Sequence, residues 1–345
     1  MIATLSGRAY RSTVLSSLLA VIGAGLLGAV LLIATGHNPA TVYRLIIERG
    51  LLDGDGLSGS LQKLAPLLII TAGLLVCLRA GIWNIGIDGQ VVIGAIACGV
   101  IAGEMAGSAP RLLLLVAGVI VGGMAGSLWA LGPAVLNVRF GLNEIITTVM
   151  MNYLAFNLVS WLVKGPFRDN EIVTPQTRQV PVSDRLPDLP GTDIHVGLVL
   201  GLLLIIAVWL LFRSSVPGVM LDVVGRNRRA ALHTGLPVSR LVISAFLCSG
   251  AAAGAAGAID ILGIYGVFTS SYSPGYGFTA FALAYLARLR AFAVLPFALL
   301  LSVLAIGGDS MSRRADVPTE FVSVLEGLML LCFGLAVWFE TRRAT

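Results

Sequence analysis

Ten apolar runs recur along this 345-residue chain, at roughly residues 14–34, 63–79, 86–103, 112–135, 142–163, 196–212, 241–263, 278–288, 291–308 and 321–339. A helix needs about 20 apolar residues to cross the hydrocarbon core of a bilayer, and most of these runs meet that length. In lipid every backbone polar group must be satisfied within the segment, so runs of this kind are restricted to helices. The repetition therefore predicts an all-α, polytopic transmembrane bundle of about ten spans. The eighth run is short and predicts a tilted, broken or half-spanning helix. Residues are 57% apolar and 12% charged, about half the charged share of a soluble domain, which excludes an ordinary globular fold. The first run follows Arg8 and Arg11 but is long enough to span and has no A-x-A cleavage site, so it reads as an uncleaved first helix.

Charge sets the expected orientation. With the N-terminus inside, 13 of the 23 Lys and Arg fall on inner segments with two acids, Asp222 and Glu340. The outer segments hold the remaining ten basic residues with twelve of the 18 acids. Four acids, Asp88, Glu144, Asp260 and Glu326, sit at or inside span boundaries. A basic excess on inner segments is what the positive-inside rule requires, so both termini are expected in the cytoplasm. The sequence pI of about 9.3 is thereby explained by membrane orientation rather than by a nucleic-acid partner. Residues 164–195, rich in Pro, Asp and Arg, form an expected external polar loop. Residues 213–240 form the most basic inner loop, with a short helix from Asn227 to Thr234 closed by Gly235 and Pro237. The whole of 1–345 reads as one transmembrane domain.

Several chemistries have no residues to carry them. The two lysines, Lys63 and Lys164, do not follow a glycine, so no phosphate-binding loop is present and any ATPase must be a separate chain. The histidines, His37, His195 and His233, lie far apart without metal-ligand spacing. No catalytic constellation, cofactor motif or metal site is expected. Cys77, Cys98, Cys248 and Cys332 lie inside apolar runs without CxxC spacing and read as small packing residues. Gly118, Gly122 and Gly126, like Gly250 and Gly254, recur every four residues and read as faces where helices approach closely.

Two polar constellations interrupt the apolar pattern. The first is Gly81-Ile82-Trp83-Asn84-Ile85-Gly86-Ile87-Asp88-Gly89-Gln90, where Asn84, Asp88 and Gln90 stand among three glycines between two spans. Polar residues in a membrane are costly and are functional candidates, and glycine-interrupted helices are where transporters build a solute route. The charge count places this segment at the cytoplasmic end of a hairpin, with Arg79 marking the inner surface. A helix break, an inner gate and a solute contact all fit it. The second is a stripe of Glu144, Thr148 and Asn152 at i, i+4, i+8, which share one helical face. That face is expected to meet protein or a wet cavity; interhelical bonding and pathway lining both fit. Asp260 reads as a boundary residue. Tyr265, Phe268, Tyr272, Tyr276 and Phe278 read either as an interfacial aromatic belt or as an outer gate.

At these residues the chain resembles inner-membrane permease subunits of ATP-binding-cassette importers, in the branched-chain amino acid and simple-sugar permease superfamily. Within it, the likeness is to permeases of nucleoside (purine-type) importers that work with basic-membrane-protein-type binding lipoproteins. GIWNIGIDGQVVIGA at 81–95, NEIITTVMMNYLA at 143–155 and GYGFTAFALAYLAR at 275–288 carry it, over roughly residues 60–340. Position 88 is Asp where family members more often have Glu, and Arg288-Leu289-Arg290 departs from the expected small and polar residues. The segment VGRNRRAALHTGLPVSRL at 224–241 looks like the family's coupling segment, which docks on the ATPase subunit. Ala230, Ala231 and Gly235 match its A-A-x-x-x-G pattern, and Arg226, Arg228 and Arg229 supply charge, Arg229 standing where some relatives have Glu.

The resemblance implies a multi-pass subunit of the cell inner (plasma) membrane that imports a nucleoside or similar small polar solute. Its implied partners are an ATP-binding-cassette ATPase subunit, a second homologous permease and an extracytoplasmic solute-binding protein. Asn84, Asp88, Gln90, Glu144, Thr148 and Asn152 are the candidate pathway residues. The alternatives are a simple-sugar permease of the same superfamily and an ion-coupled secondary transporter using Asp88 and Glu144.

Overall fold

The computed structural model describes the backbone of residues 7–344 and the side chains of residues 18–338. Arg8, Arg11, Glu340, Arg342 and Arg343, which enter the charge count, lie outside the described side chains. Among the described residues the secondary structure is helical, apart from two isolated bridges, Gln176–Thr269 and Asp188–His195. Among the described residues eight helices are long and apolar enough to span, and two shorter apolar stretches, Leu18–Ala34 and Tyr276–Leu286, coincide with the first and eighth expected runs.

The chain forms two compact units. One contains α1 (Gly7–Ala34), α2 (Pro39–Ile47), the start of α3 (Gly54–Arg79), most of α12 (Val294–Ala315) and α13 (Glu320–Ala344). Hydropathy did not reveal α2, whose nine residues are too few to span. Asn38 caps it, its side chain accepting from the Ala40 N–H at 2.9 Å, with Pro39 preset for the first turn. The Tyr43 hydroxyl donates to the Gly25 carbonyl at 2.7 Å and so ties α2 to α1.

The other unit holds the rest of α3, α4 (Ile87–Met105), α5 (Arg111–Phe140), α6 (Glu144–Lys164), α7 (Gly197–Ser214), α8 (Val216–Arg226), α9 (Arg228–His233) and α10 (Val238–Asp260). It also holds the start of α11 (Tyr276–Leu286). Its centre is α4, α5 and α10, held together through glycine. A methyl added at Gly122 of α5 would lie 2.8 Å from the Ala258 Cβ, and 3.0 Å from the carbonyl oxygens of both Gly254 and Gly94. Three backbones therefore meet where the sequence places its small-residue stripes, and dispersion between close main chains takes the place of side-chain interdigitation. Cys77 and Cys98 are buried packing residues, as expected, whereas Cys248 is exposed on the helix surface.

The segment 164–195 is not a loose loop. Its backbone bonds to the chain that follows α10: the Thr177 N–H to the Phe268 carbonyl at 3.0 Å, Val180 to Gly266 at 2.8 Å and Leu186 to Leu262 at 2.9 Å. It also meets the end of α4, where Arg178 pairs with Glu104 and the Gly107 N–H reaches Asp184. These segments are ones that the charge count assigns to the same side of the membrane.

Candidate functional site

After Arg79 the helix stops. Gly81 adopts φ +71°, a left-handed conformation suited to glycine, and residues 80–86 run unwound until α4 begins at Ile87. Gly94 meets Gly254, and the Cys98 thiol points at the Ala258 carbonyl, so α4 runs parallel to α10. In that register the first turn of α4 lies beside Ser249. Ser249 is eleven residues beyond the start of α10, which is about 16 Å at 1.5 Å per residue. The opening segment therefore does not stay at the end of the hairpin, where the charge count puts it. Arg79 stays at that end, while Asn84 reaches halfway along α10. A charge count assigns a side but not a depth.

At that depth the polar groups satisfy one another. The Asn84 Nδ2 donates to Gln90 Oε1 and the Gln90 Nε2 donates to Asn84 Oδ1, both at 3.0 Å, closing a ring of two amides. A second proton of Asn84 Nδ2 reaches the Ser249 hydroxyl at 3.0 Å. All three residues are buried. Unpaired, each amide would carry a desolvation cost of about 1–3 kcal/mol. Paired, they pin the break to α10.

Asp88 is placed differently. It stands in the first turn of α4, half-buried, and its Oδ1 accepts the Gly277 N–H of α11 at 2.7 Å. Residues 266–275 descend from the segment bonded to Thr177 and Val180, and Gly275, at φ +68°, turns the chain into α11. The eighth run is thus a short helix whose N-terminus meets the N-terminus of α4 at one carboxylate. Both helix ends present orphan N–H groups and partial positive charge there. Trp83 stacks on Phe281 of α11 with ring centres 6.3 Å apart.

About three turns beyond Ser249, at the end of α10, lies a carboxylate that sequence reasoning set aside. Asp260 is fully buried and accepts from the hydroxyls of Tyr272 at 2.6 Å and Tyr276 at 3.0 Å. It stands at the last residue of α10, near the end of the span as expected, but is enclosed by protein. Phe268, Tyr272 and Tyr276 are buried with it, so these three form no interfacial belt, while Tyr265 and Phe278 are exposed. The i, i+12 and i+16 separations carry no helical signal, because a re-entrant turn brings the partners together.

The α6 stripe faces protein. Thr148 is buried, back-bonded to the Glu144 carbonyl at 2.6 Å, and its Cβ lies against Gly86. Asn152 holds both ends of the break: its Oδ1 accepts from the Gly89 N–H at 2.8 Å and its Nδ2 donates to the Ile85 carbonyl at 2.9 Å. Glu144 lies at the foot of the stripe, where its Oε2 accepts from Asn137 Nδ2 at 3.1 Å. Five of the six candidate pathway residues, Asn84, Asp88, Gln90, Thr148 and Asn152, thus converge on 84–90. Glu144 stands apart from them.

The basic inner segment folds as an elbow of two short helices. Ser215 caps α8, accepting from the Gly218 N–H at 3.1 Å, and Asn227 caps α9, accepting from Ala230 at 3.0 Å. The sequence reading found the second helix and missed α8. Arg226, Arg228, Arg229, Ala230 and Gly235 are exposed, with Gly235 left-handed at φ +78°, and Ala231 is buried. Arg228 also reaches Asn137 Oδ1 at 3.4 Å, so Asn137 joins a candidate coupling residue to Glu144. Among the described residues no cluster of His, Cys, Asp and Glu is arranged to hold a metal.

A model of the branched-chain amino acid transport system permease component matches residues 56–334. The glucose ABC transporter permease of Haloferax volcanii is 30% identical, over 94% of this chain and 88% of its own length. The guanosine ABC transporter permease of Bacillus subtilis is 28% identical, over 93% and 92% respectively. A nucleoside ABC transporter permease of Lactococcus lactis is 28% identical, over 94% and 91%.

Proposed function

The chain belongs to the family of branched-chain amino acid transport system permease components, and we propose that it carries a nucleoside or similar small polar solute inward. It is the multi-pass membrane permease subunit of an ATP-binding-cassette importer. In the proposed arrangement it forms half of the route beside a second, homologous permease. A separate ATPase docks on 213–240 from the cytoplasm, and a solute-binding protein delivers to the outer face, where 164–195 lies. Both termini are then cytoplasmic.

The observation that carries this reading is the meeting of α4 and α11. Two helices begin halfway along α10 with their N-termini converging on Asp88, held by Asn152 and by the Asn84–Gln90–Ser249 ring. Broken helices at this depth are where transporters place weak polar contacts for a passing solute. Asp88 is the proposed solute-facing group. Asn84, Gln90, Thr148 and Asn152 hold the break, and Glu144 lies on the inner side of the route. Affinity resides mainly in the binding protein, so contacts in the route need only be weak.

The glucose permease likeness supports sugar as a second reading of the solute. Cells lacking the chain, and cells re-expressing it, would be tested for uptake of labelled purine nucleoside and labelled glucose in parallel. Restored nucleoside uptake that persists with ATP after the proton gradient is collapsed is the expected result. Restored glucose uptake alone would move the solute to sugar, and uptake lost with the gradient would indicate ion coupling. A Ser183→Cys probe in a cysteine-free background should react with an impermeant reagent from outside; reaction only in inverted vesicles would overturn the orientation.

A further inference from the structure

The helical elbow and the broken segment are joined by a contact that neither the sequence motifs nor the family assignment accounts for. Arg79, the last residue of α3, forms a bidentate pair with Asp222 of α8: its Nε donates to Oδ1 at 2.9 Å and its Nη2 to Oδ2. The pair is three-quarters buried, at 28% and 26% side-chain exposure. The guanidinium also lies over the Phe212 ring, 3.8 Å from its centre, at the end of α7. A planar cation held by a carboxylate fork on one side and an aromatic face on another has one orientation, which a lysine would not have.

The backbones interlock beside this pair. A methyl at Gly81 would lie 3.1 Å from the Gly225 Cα and 3.2 Å from its carbonyl, and one at Gly225 would overlap the Arg79 carbonyl. The end of α8 is therefore seated directly on residues 79–81. From there the short unwound stretch leads straight into 84–90, where Asn152, Ser249 and the start of α11 hold it.

We propose that the Arg79–Asp222 pair, with the Gly81–Gly225 contact, is the joint through which movement of the α8–α9 elbow displaces segment 80–90 during transport. Arg79 and Asp222 are positioning residues: they touch neither solute nor ATPase in this scheme, and they fix the elbow to the break. The inference rests on the proposed coupling role of 213–240. Coupling through packed elements needs a two-state element that both ends bias, and here that element is the start of α4 with the N-terminus of α11.

The test uses the assembled importer in proteoliposomes, with wild type as its own control. If the wild-type complex shows no ATP-driven uptake, the functional reading fails. If it transports, the inference stands or falls on the variants. Arg79→Gln and Asp222→Asn should each lower the maximal uptake rate about ten-fold or more while leaving the solute KM within about two-fold. The ATPase subunit should still co-purify, but its hydrolysis should no longer rise with loaded binding protein. The swapped pair Arg79→Asp with Asp222→Arg should recover part of the rate, a non-additivity expected only of groups that interact. Should the neutral variants fail to accumulate, Asp222→Glu keeps the charge and lengthens the arm, and it too should slow uptake. Wild-type maximal rate in any single variant, a swap no faster than the singles, or loss of ATPase co-purification would overturn the joint.

Discussion

Gly122→Ala tests whether main-chain contact holds the three central helices together. In an uncrowded helix, glycine to alanine stabilises by about 0.4–1 kcal/mol, because the unfolded chain loses freedom. At Gly122 the new methyl meets the Ala258 Cβ at 2.8 Å and two carbonyl oxygens at 3.0 Å, and none of these atoms can rotate away. Relief requires α5 to move from α4 and α10 by about 0.5–1 Å, a gap that forfeits a quarter to a half of each neighbouring dispersion contact. Overpacking of this kind costs about 1–3 kcal/mol, so the net change is a loss of about 0.5–2 kcal/mol. Gly334→Ala in α13 is the control, since nothing lies within 4 Å of the added methyl, and it should gain slightly. Thermal unfolding in detergent, followed by tryptophan fluorescence, should place Gly122→Ala about 1–4 °C below wild type. Gly334→Ala should lie at or above wild type. A Gly122→Ala midpoint equal to or above wild type would refute close backbone packing at this crossing.

Other perturbations address transport and pH. Asp88→Ala removes the acceptor for Gly277 and should cut initial uptake at least about ten-fold at normal expression. Asp88→Asn, which keeps an oxygen acceptor, should fall between the two, and wild-type uptake in Asp88→Ala would remove this residue from the route. Charge reversal at Arg226, Arg228 and Arg229 should abolish co-purification of the ATPase without affecting membrane insertion; undiminished co-purification would count against the coupling assignment. His195 is buried with its Nδ1 accepting the Gly197 N–H at 3.2 Å, and burial lowers its pKa against a smaller opposing pull from Asp188. A base with a depressed folded-state pKa contributes stability present above its unfolded value, near 6.5, and lost as pH falls below it. Between pH 7.5 and 5.5 the wild-type unfolding midpoint should therefore fall more steeply than that of His195→Gln; equal slopes would show that His195 does not contribute.

The spans were legible because hydropathy over about 20 residues is a strong signal, and each expected run overlaps an apolar helix. The Glu144, Thr148, Asn152 face was legible for the same kind of reason: a local period of 3.6 fixes which residues share a side. What the sequence hid was depth and partnership. Asn84 and Gln90 were visible as polar residues, but Ser249, which completes their ring, lies 165 residues beyond Asn84. Asp260 was set aside because neither tyrosine that satisfies it is a helical neighbour. Asn137 gave no signal as an amide near a helix end, and the Arg79–Asp222 pair spans 143 residues. Helix α8 escaped notice because its eleven residues are too few to span, and Pro217, Gly218 and Gly225 read as breakers.

The amide ring also constrains how the protein is made. Residues 80–90 hold polar groups whose partners belong to α10, so this stretch cannot complete its bonding when it first enters the bilayer. Ribosomes add about 5–20 residues per second, which places Ser249 about 8–30 s behind Asn84. During that interval the two amides have each other but lack their anchor, and α4 has no α10 to pack on. Premature termination before residue 249 should therefore leave the earlier helices a substrate for membrane quality-control proteases.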